Sequence, residues 1–390
     1  MKQISRAQRR ARLGRRHRLA ESAADPREAV DSLVAVHSTD PATVYLSMWA
    51  RVPEFEVAHL EEHLYEHRSL VRHWAMRRTL WVVPREFLAV IVHSSTSAIG
   101  EKERRRTIRM IEEAGIAADG EAWLRAVAPK ALELIRSHGE VLTRRLSQEV
   151  PELGEKIEFT NKAGRVMGTS GTASRLLVQL GMESRVVRTR PAGTWVSGQY
   201  RWAVLEDWLG PLEPLTRREA SARLVEAWLG AYGPGTEIDI KWWTGWPVGL
   251  VRQALDDIGA VTVDLGEDGP GHLLADDLED EEVQEPWVAL LGSLDTTTMG
   301  WKNRDWYLGE HQSVLFDRNG NAGPTVWVDG RVVGGWAQRP DGRVVYELFE
   351  DVGSETAGAI EARREQLQEW LGEATITPRF RSPHERSLSS

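Results

Sequence analysis

Cysteine is absent from the 390 residues. Its absence excludes disulfides, thiolate-held zinc, iron–sulfur clusters and thiol nucleophiles, and it fits a reducing compartment. Long apolar runs are absent as well. No stretch reaches the roughly eighteen apolar residues of a membrane-spanning helix. The basic N-terminus lacks the apolar segment that a secretory leader would carry. A cytoplasmic chain without membrane association is expected. At this length one core does not suffice, so two to four domains are predicted.

An excess of positive charge is also lacking, since the net charge is −9. The average hides an asymmetry. Residues 1–200 hold 32 Lys and Arg against 24 Asp and Glu, a balance of +8, and residues 201–390 hold 17 against 34, a balance of −17. A polyanion-binding face joined to an acidic body has this signature. An excess of arginine on solvated helices gives the same numbers.

The chain opens on a predicted basic helix over 3–20, with Arg9, Arg10, Arg12, Arg15, Arg16 and Arg18. Asp25-Pro26 favours a helix start, because Asp caps and Pro suits the first turn. Further helices are predicted over 41–51 and 55–67, and Thr79–Val83 reads as a strand. Helices followed by a short hairpin are the winged-helix pattern. The pattern recurs with helices over 121–137, 143–149 and 172–181, Arg175 exposed on the last, and a wing over 183–200. It appears a third time with helices 217–231 and 247–258. Residues 264–285 are dominated by Asp and Glu and read as an exposed loop or edge. From Trp287 short strands take over, at 287–293, 325–328, 331–336 and 343–348, and Asp329-Gly330 is a strong two-residue hairpin signal. A helix over 357–371 closes the fold, and the tail from Thr377 should fray. The expected architecture is α+β: winged-helix domains over 1–110, 120–205 and 213–285, then a small β-barrel with its helix over 286–380.

Two segments concentrate polar, cationic and aromatic groups instead of sorting them by face. They are Val36-His37-Ser38-Thr39-Asp40-Pro41, running on to Trp49-Ala50-Arg51, and Arg72-His73-Trp74-Ala75-Met76-Arg77-Arg78-Thr79-Leu80-Trp81. Together with Tyr232-Gly233-Pro234, Asp239, Trp243, Leu294-Asp295 and Val328-Asp329-Gly330-Arg331-Val332-Val333-Gly334-Gly335-Trp336, they resemble the winged-helix DNA glycosylase family of the AlkZ/YcaQ type. The resemblance runs over about residues 10–380. Arg78 stands where that family usually has glycine, and Trp81 where histidine is common. At the catalytic position, where characterised members carry Gln-x-Gln or Gln-x-Asp, this chain has His37 and Thr39.

The resemblance implies double-stranded DNA as partner, no cofactor, no metal and no obligate protein partner. It implies excision of a damaged or unusual base, by a monofunctional route because no lysine lies near the motif to form a Schiff base. Breaking an N-glycosidic bond builds positive charge on the sugar while a water is held at its open face. His37 could act as base or donor, and Thr39 could orient the water. A polar helix junction or a binding-only pocket accounts for the same pair, and then the chain is a non-catalytic DNA-binding or regulatory protein. Trp74, Thr79, Trp81 and Asp295 are the candidate pocket and wedge residues. The two tryptophans fit a core equally well. Arg12, Arg16, Arg72, Arg77, Arg78 and Arg175 are the candidate DNA contacts. Asp40, beside Pro41, reads as a helix cap. His63-Leu64-Tyr65-Glu66-His67 matches a zinc-protease pattern, but no motif supplies a third ligand, and a solvated helix is the plainer reading.

Overall fold

Asp25 and Asp40 start two helices in the same way. Each Asp sits just before a proline in extended backbone, and its carboxylate accepts a main-chain N–H of the first turn, from Glu28 and Ala42 respectively. The second helix, Pro41–Trp49, is buried at every position from Ala42 to Trp49. Between the two lies the short strand Val36–His37, which pairs antiparallel with Val82 and Trp81 of strand Leu80–Pro84.

The computed structural model describes residues 1–160, 165–282 and 284–390; the second and third predicted domains thus each contain residues outside the described set. The chain is mixed α and β and falls into two compact units. One comprises Met1–Leu70, Trp81–Pro84 and Ser221–Ser390, the other Val71–Leu80 and Arg85–Ala220.

In the second unit, helices Gly120–His138, Thr143–Glu149 and Thr172–Met182 are followed by strands Val186–Pro191 and Tyr200–Val204. Strand Val141–Leu142 joins them in a three-stranded antiparallel sheet. Leu124, Val127, Ala131, Leu176, Leu177 and Leu180 form the core between helices and sheet. Helix Ser97–Glu113 crosses close to Gly120, where a Cβ would stand 2.6 Å from the Ile108 carbonyl oxygen.

In the first unit, helices Glu237–Thr244 and Val248–Asp257 precede the hairpin Val261–Asp264/Pro270–Leu273. Strands Val288–Leu291, Thr325–Val328, Arg331–Gln338 and Val344–Leu348 follow, close to the predicted boundaries. They form an open antiparallel sheet in chain order, not the expected barrel. Helix Ser354–Leu371 packs on both outer strands and takes the place where they would have met. Asp329 and Gly330 adopt φ of 46° and 79°, the left-handed pair of a tight hairpin turn. The predicted fraying of the tail is also corrected. Ser382 caps a helix at Pro383–Leu388, with His384 and Glu385 buried.

The loop after Leu291 organises this unit. Ser293, Asp295, Thr296, Thr297 and Thr298 are all buried. A buried loop must satisfy its polar groups internally, and this one does so around an ion pair. The Arg51 guanidinium donates to both Asp295 oxygens at 2.8 and 3.0 Å, to the carbonyls of His17 and Ser47, and to Thr297 Oγ1. All five of its N–H groups are thereby used. Asp295 also accepts from Ser47 Oγ and from the Thr297 N–H. Burial alone would raise the Asp295 carboxyl, but the Arg51 charge and these hydrogen bonds outweigh it and hold the group below its usual range. Arg51 can only donate, so the Thr297 hydroxyl proton goes to His17 Nδ1, 2.7 Å away. Burial and the Arg51 charge push His17 down to about 3, which keeps it neutral.

Asp295→Ala leaves a buried guanidinium unpaired and should cost about 3–5 kcal/mol, read by denaturant unfolding. Histidine 17 contributes a pH term. Its pKa is lower in the folded chain than the unfolded value of about 6.5, so its contribution is present above pH 6.5 and is lost as pH falls towards 3. Wild-type stability should drop by up to about 1.4 kcal/mol per pH unit from this group, and His17→Gln should flatten the acid limb of the unfolding profile by that amount.

Candidate active site and cationic surface

The strand Val36–His37 and the cap at Asp40 leave Ser38 and Thr39 to make the turn into helix Pro41–Trp49. The structure holds that turn by its main chain. The His37 N–H donates to Thr296 Oγ1 at 3.1 Å, and the Thr39 N–H donates to His37 Nδ1 at 3.4 Å. His37 is only 4% exposed, Thr39 is half-buried, and Ser38 and Asp40 are buried. The His37 ring stands edge-on to Trp81, with centroids 4.9 Å apart, and Trp81 packs in turn on Trp243. In this geometry Nδ1 is the accepting nitrogen of the His37 ring. Asp40 is the cap read from the sequence. Its two oxygens take the N–H groups of Ala42 and Arg379, and burial, only partly offset by those bonds, raises its carboxyl above the ordinary value.

The other candidate pocket residues are distributed differently. Asp295 is fully buried in the Arg51 network and serves there as a core counter-ion. Trp74 is 5% exposed in the second unit, stacked on Trp202 at 5.8 Å with the Arg188 guanidinium over its ring at 4.7 Å. A Cβ at Gly181 would collide with the Trp74 ring, so this helix must carry glycine there. Trp74 and Trp81 are thus both buried. Thr79 is half-buried and donates its hydroxyl to the Met76 carbonyl.

The candidate DNA contacts need sorting by what already holds them. Arg12 is 1% exposed and pairs with Asp277 at 2.7 Å; Arg16 pairs with Asp277 and Glu281. Lys2, Arg6, Arg9 and Arg15 likewise meet Asp280, Glu267, Asp268 and Glu281. The acidic segment read as an exposed loop or edge supplies the counter-charge of helix Arg6–Arg16. Part of the +8/−17 asymmetry is therefore internal neutralisation. Arg72 is buried, its guanidinium 4.6 Å from the Tyr200 ring centroid. Arg175, predicted exposed, is buried and shares Glu103 with Arg78, and burial beside Arg78 pulls it down to about 10. Arg77 is half-buried, and Arg78 stays on the surface despite its pairing. Both take left-handed φ, at 54° and 63°.

A surface the sequence reading missed lies on helix Ser97–Glu113. Lys102, Arg105, Arg106 and Arg109 are exposed at helical spacing on one face. None of the four has a carboxylate partner among the described residues. Burial, then the charges of Arg78 and Arg109, lower the Arg106 pKa, so like charges crowd here unrelieved. The available signal was the tripeptide Arg104-Arg105-Arg106 with Arg109 one turn on. In the same unit an open groove of about 650 Å³ lies between Thr143, Arg144, Ser174, Arg188, Gln199 and Trp202. His63 and His67 show no metal-ligating cluster among the described residues; His63 Nδ1 lies 2.7 Å from Ser69 Oγ.

A DNA-binding titration against salt separates the two arginine groups. Arg106→Ala and Arg109→Ala should each weaken affinity and flatten the log–log slope by about one unit, as expected when a phosphate contact is lost. Arg12→Ala should leave the slope unchanged and instead lower the unfolding midpoint.

The geometry can be set beside known proteins. The family model for AlkZ-like DNA glycosylases matches residues 30–370. Among solved structures, Streptomyces sahachiroi DNA glycosylase AlkZ aligns with a TM-score of 0.70 over 93% of this chain and 95% of that one. The identity is 19%, so that likeness speaks for the fold alone. Comparison with curated proteins gives no match. No helix among the described residues is long and apolar enough to cross a membrane. With the family model spanning most of the chain, and the His37 turn within it, the protein belongs to the AlkZ-like DNA glycosylase family.

Proposed function

We propose that this chain is a monofunctional glycosylase that hydrolyses the N-glycosidic bond of a cationic, alkylated base in double-stranded DNA. His37 and Thr39 are its catalytic pair. The three runs of helices and hairpin are its winged-helix units, and Lys102, Arg105, Arg106 and Arg109 are phosphate contacts.

One observation carries the reading. The motif turn presents the His37 ring, with Nδ1 accepting the Thr39 N–H, and Asp40, its neighbouring carboxylate, has both oxygens occupied by main-chain N–H groups. Such a site has no free acid to protonate a departing base. It suits a base that leaves without protonation because it already carries positive charge. The departing base takes the bonding electron pair and becomes neutral. A water accepting from His37 Nε2–H keeps a lone pair for the sugar carbon, and its proton passes by way of the Thr39 hydroxyl to solvent. His37 acts here as a donor that orients water, not as a general base.

A second reading has its own support. The depth of His37 at 4% exposure, edge-on to Trp81, also suits a scaffold that binds DNA without cutting it.

Base release from duplexes carrying alkylated, deaminated or bulky-adduct bases decides between them. Release is expected from the cationic alkylated duplex. His37→Ala should lower it by on the order of 10²-fold, Thr39→Ala by less, and DNA affinity should survive both changes. Full activity in His37→Ala sinks the catalytic assignment. No release from any duplex leaves the DNA-binding reading.

A further inference from the structure

We propose that the C-terminal segment Ala374–Ser390 is a strap that positions the His37–Thr39 turn, with Arg379 as the positioning residue and Asp40 as the group it grips. The inference rests on the catalytic reading of that turn.

The strap is anchored on both sides of Arg379. Before it, Gln338 Oε1 accepts the Ile376 N–H at 2.7 Å, and Gln338 Nε2 donates to the Ala374 carbonyl at 3.0 Å. After it, Ser382 is buried against Gly323, where an added Cβ would lie 2.3 Å from Ser382 Oγ. Buried His384 lies against Gly335 and reaches Glu347, and Arg381 pairs with buried Glu385. Arg379 is fixed between these anchors, yet its own side chain is exposed. Its N–H donates to Asp40 Oδ2 at 2.8 Å, and its guanidinium donates to the Thr39 carbonyl at 3.4 Å.

Thr39 is consequently held from two directions: its N–H by His37, its carbonyl by Arg379. The Asp40 carboxylate that accepts the Arg379 N–H also caps Ala42, so the strap and the start of the helix share one anchor at the end of this turn. Space is available for movement. A cavity of about 20 Å³, enough for a single water, lies between Asp40, Thr43, Gln338, Ile376 and Pro378. An exposed arginine adds little burial, so its bond to Thr39 is better understood as setting the geometry of the turn than as stabilising the fold. Small misplacements of a reacting group cost rate steeply.

Two variants of the full chain separate the strap from the fold. Asp40→Asn retains an oxygen for the Ala42 cap, since Asn caps as well as Asp, but it turns an amide NH₂ towards the Arg379 N–H. Arg379→Ala removes the guanidinium, and Arg379→Lys returns a donor. Amide hydrogen exchange should speed up over residues 36–42 in Asp40→Asn and in Arg379→Ala, with the loop 293–298 unchanged. Single-turnover release from the alkylated duplex should fall between about tenfold and a hundredfold at unchanged DNA Kd, with partial recovery in Arg379→Lys. Unchanged exchange over 36–42 in both variants overturns the strap, whatever the wild type does to DNA. Faster exchange with undiminished release overturns it as a positioning device. If the wild type releases no base from any duplex, the catalytic reading fails by itself, and the exchange measurement alone decides whether the strap holds the turn.

Discussion

The Arg51–Asp295 pair is the interaction on which the first unit depends. Both side chains are completely buried. Removing two charges from water is costly and tolerable only when every remaining lone pair and proton finds a partner. Here that demand recruits Ser47, Thr297 and the His17 carbonyl, and fixes the loop from Ser293 to Thr298 in place. The same loop then supplies Thr296 to the His37 N–H and the Ser293 carbonyl to Thr43 in the helix after the motif. The candidate catalytic turn is thus built on a polar core whose geometry is set by an ion pair, in a unit otherwise lined by tryptophan and tyrosine rings such as Trp228, Tyr232, Trp301 and Trp306.

Charge in this chain is informative only after pairing is known. The arginine-rich helix Arg6–Arg16 meets the acidic segment around Asp268–Glu281 with short ion pairs, and Glu103 serves Arg78 and Arg175 together. The face of helix Ser97–Glu113 retains its positive charge because no carboxylate among the described residues pairs with Lys102, Arg105, Arg106 or Arg109. Long-range attraction of a polyanion depends on that uncompensated remainder, not on the total.

Local chemistry was readable in the sequence wherever one or two residues decide the outcome. Asp25-Pro26 and Asp40-Pro41 begin helices, Asp329-Gly330 turns a hairpin, and the strands after Trp287 lie within a few residues of their predicted limits. Legibility ended where the deciding partner lies far along the chain. Arg175 looks exposed beside its leucines, and only the fold brings Glu103 to it. Asp295 looks like part of a pocket until Arg51, more than 240 positions away, closes on it. A closed barrel followed naturally from the strand count, but a helix covering both outer strands satisfies the same apolar surfaces. The tail reads as polar and frayed because its bonds run to Gln338, Asp40 and Thr39, which no local pattern reveals. The His37-x-Thr39 motif was visible as a departure from a known pair, while the Thr296 and Arg379 contacts around it were not.

The way the motif turn is held has an evolutionary corollary. Thr296, Asp40 and Arg379 grip main-chain atoms of the turn, and these three restraints are indifferent to which side chains project from positions 37 and 39. Residues at such positions can be exchanged with modest effect on folding, whereas the chemistry they offer changes outright. Under the proposed catalytic role of positions 37 and 39, reactivity and stability, which oppose each other in many enzymes, are largely assigned to different atoms. On that reading, a scaffold of this kind changes its chemistry at two positions without rebuilding its core.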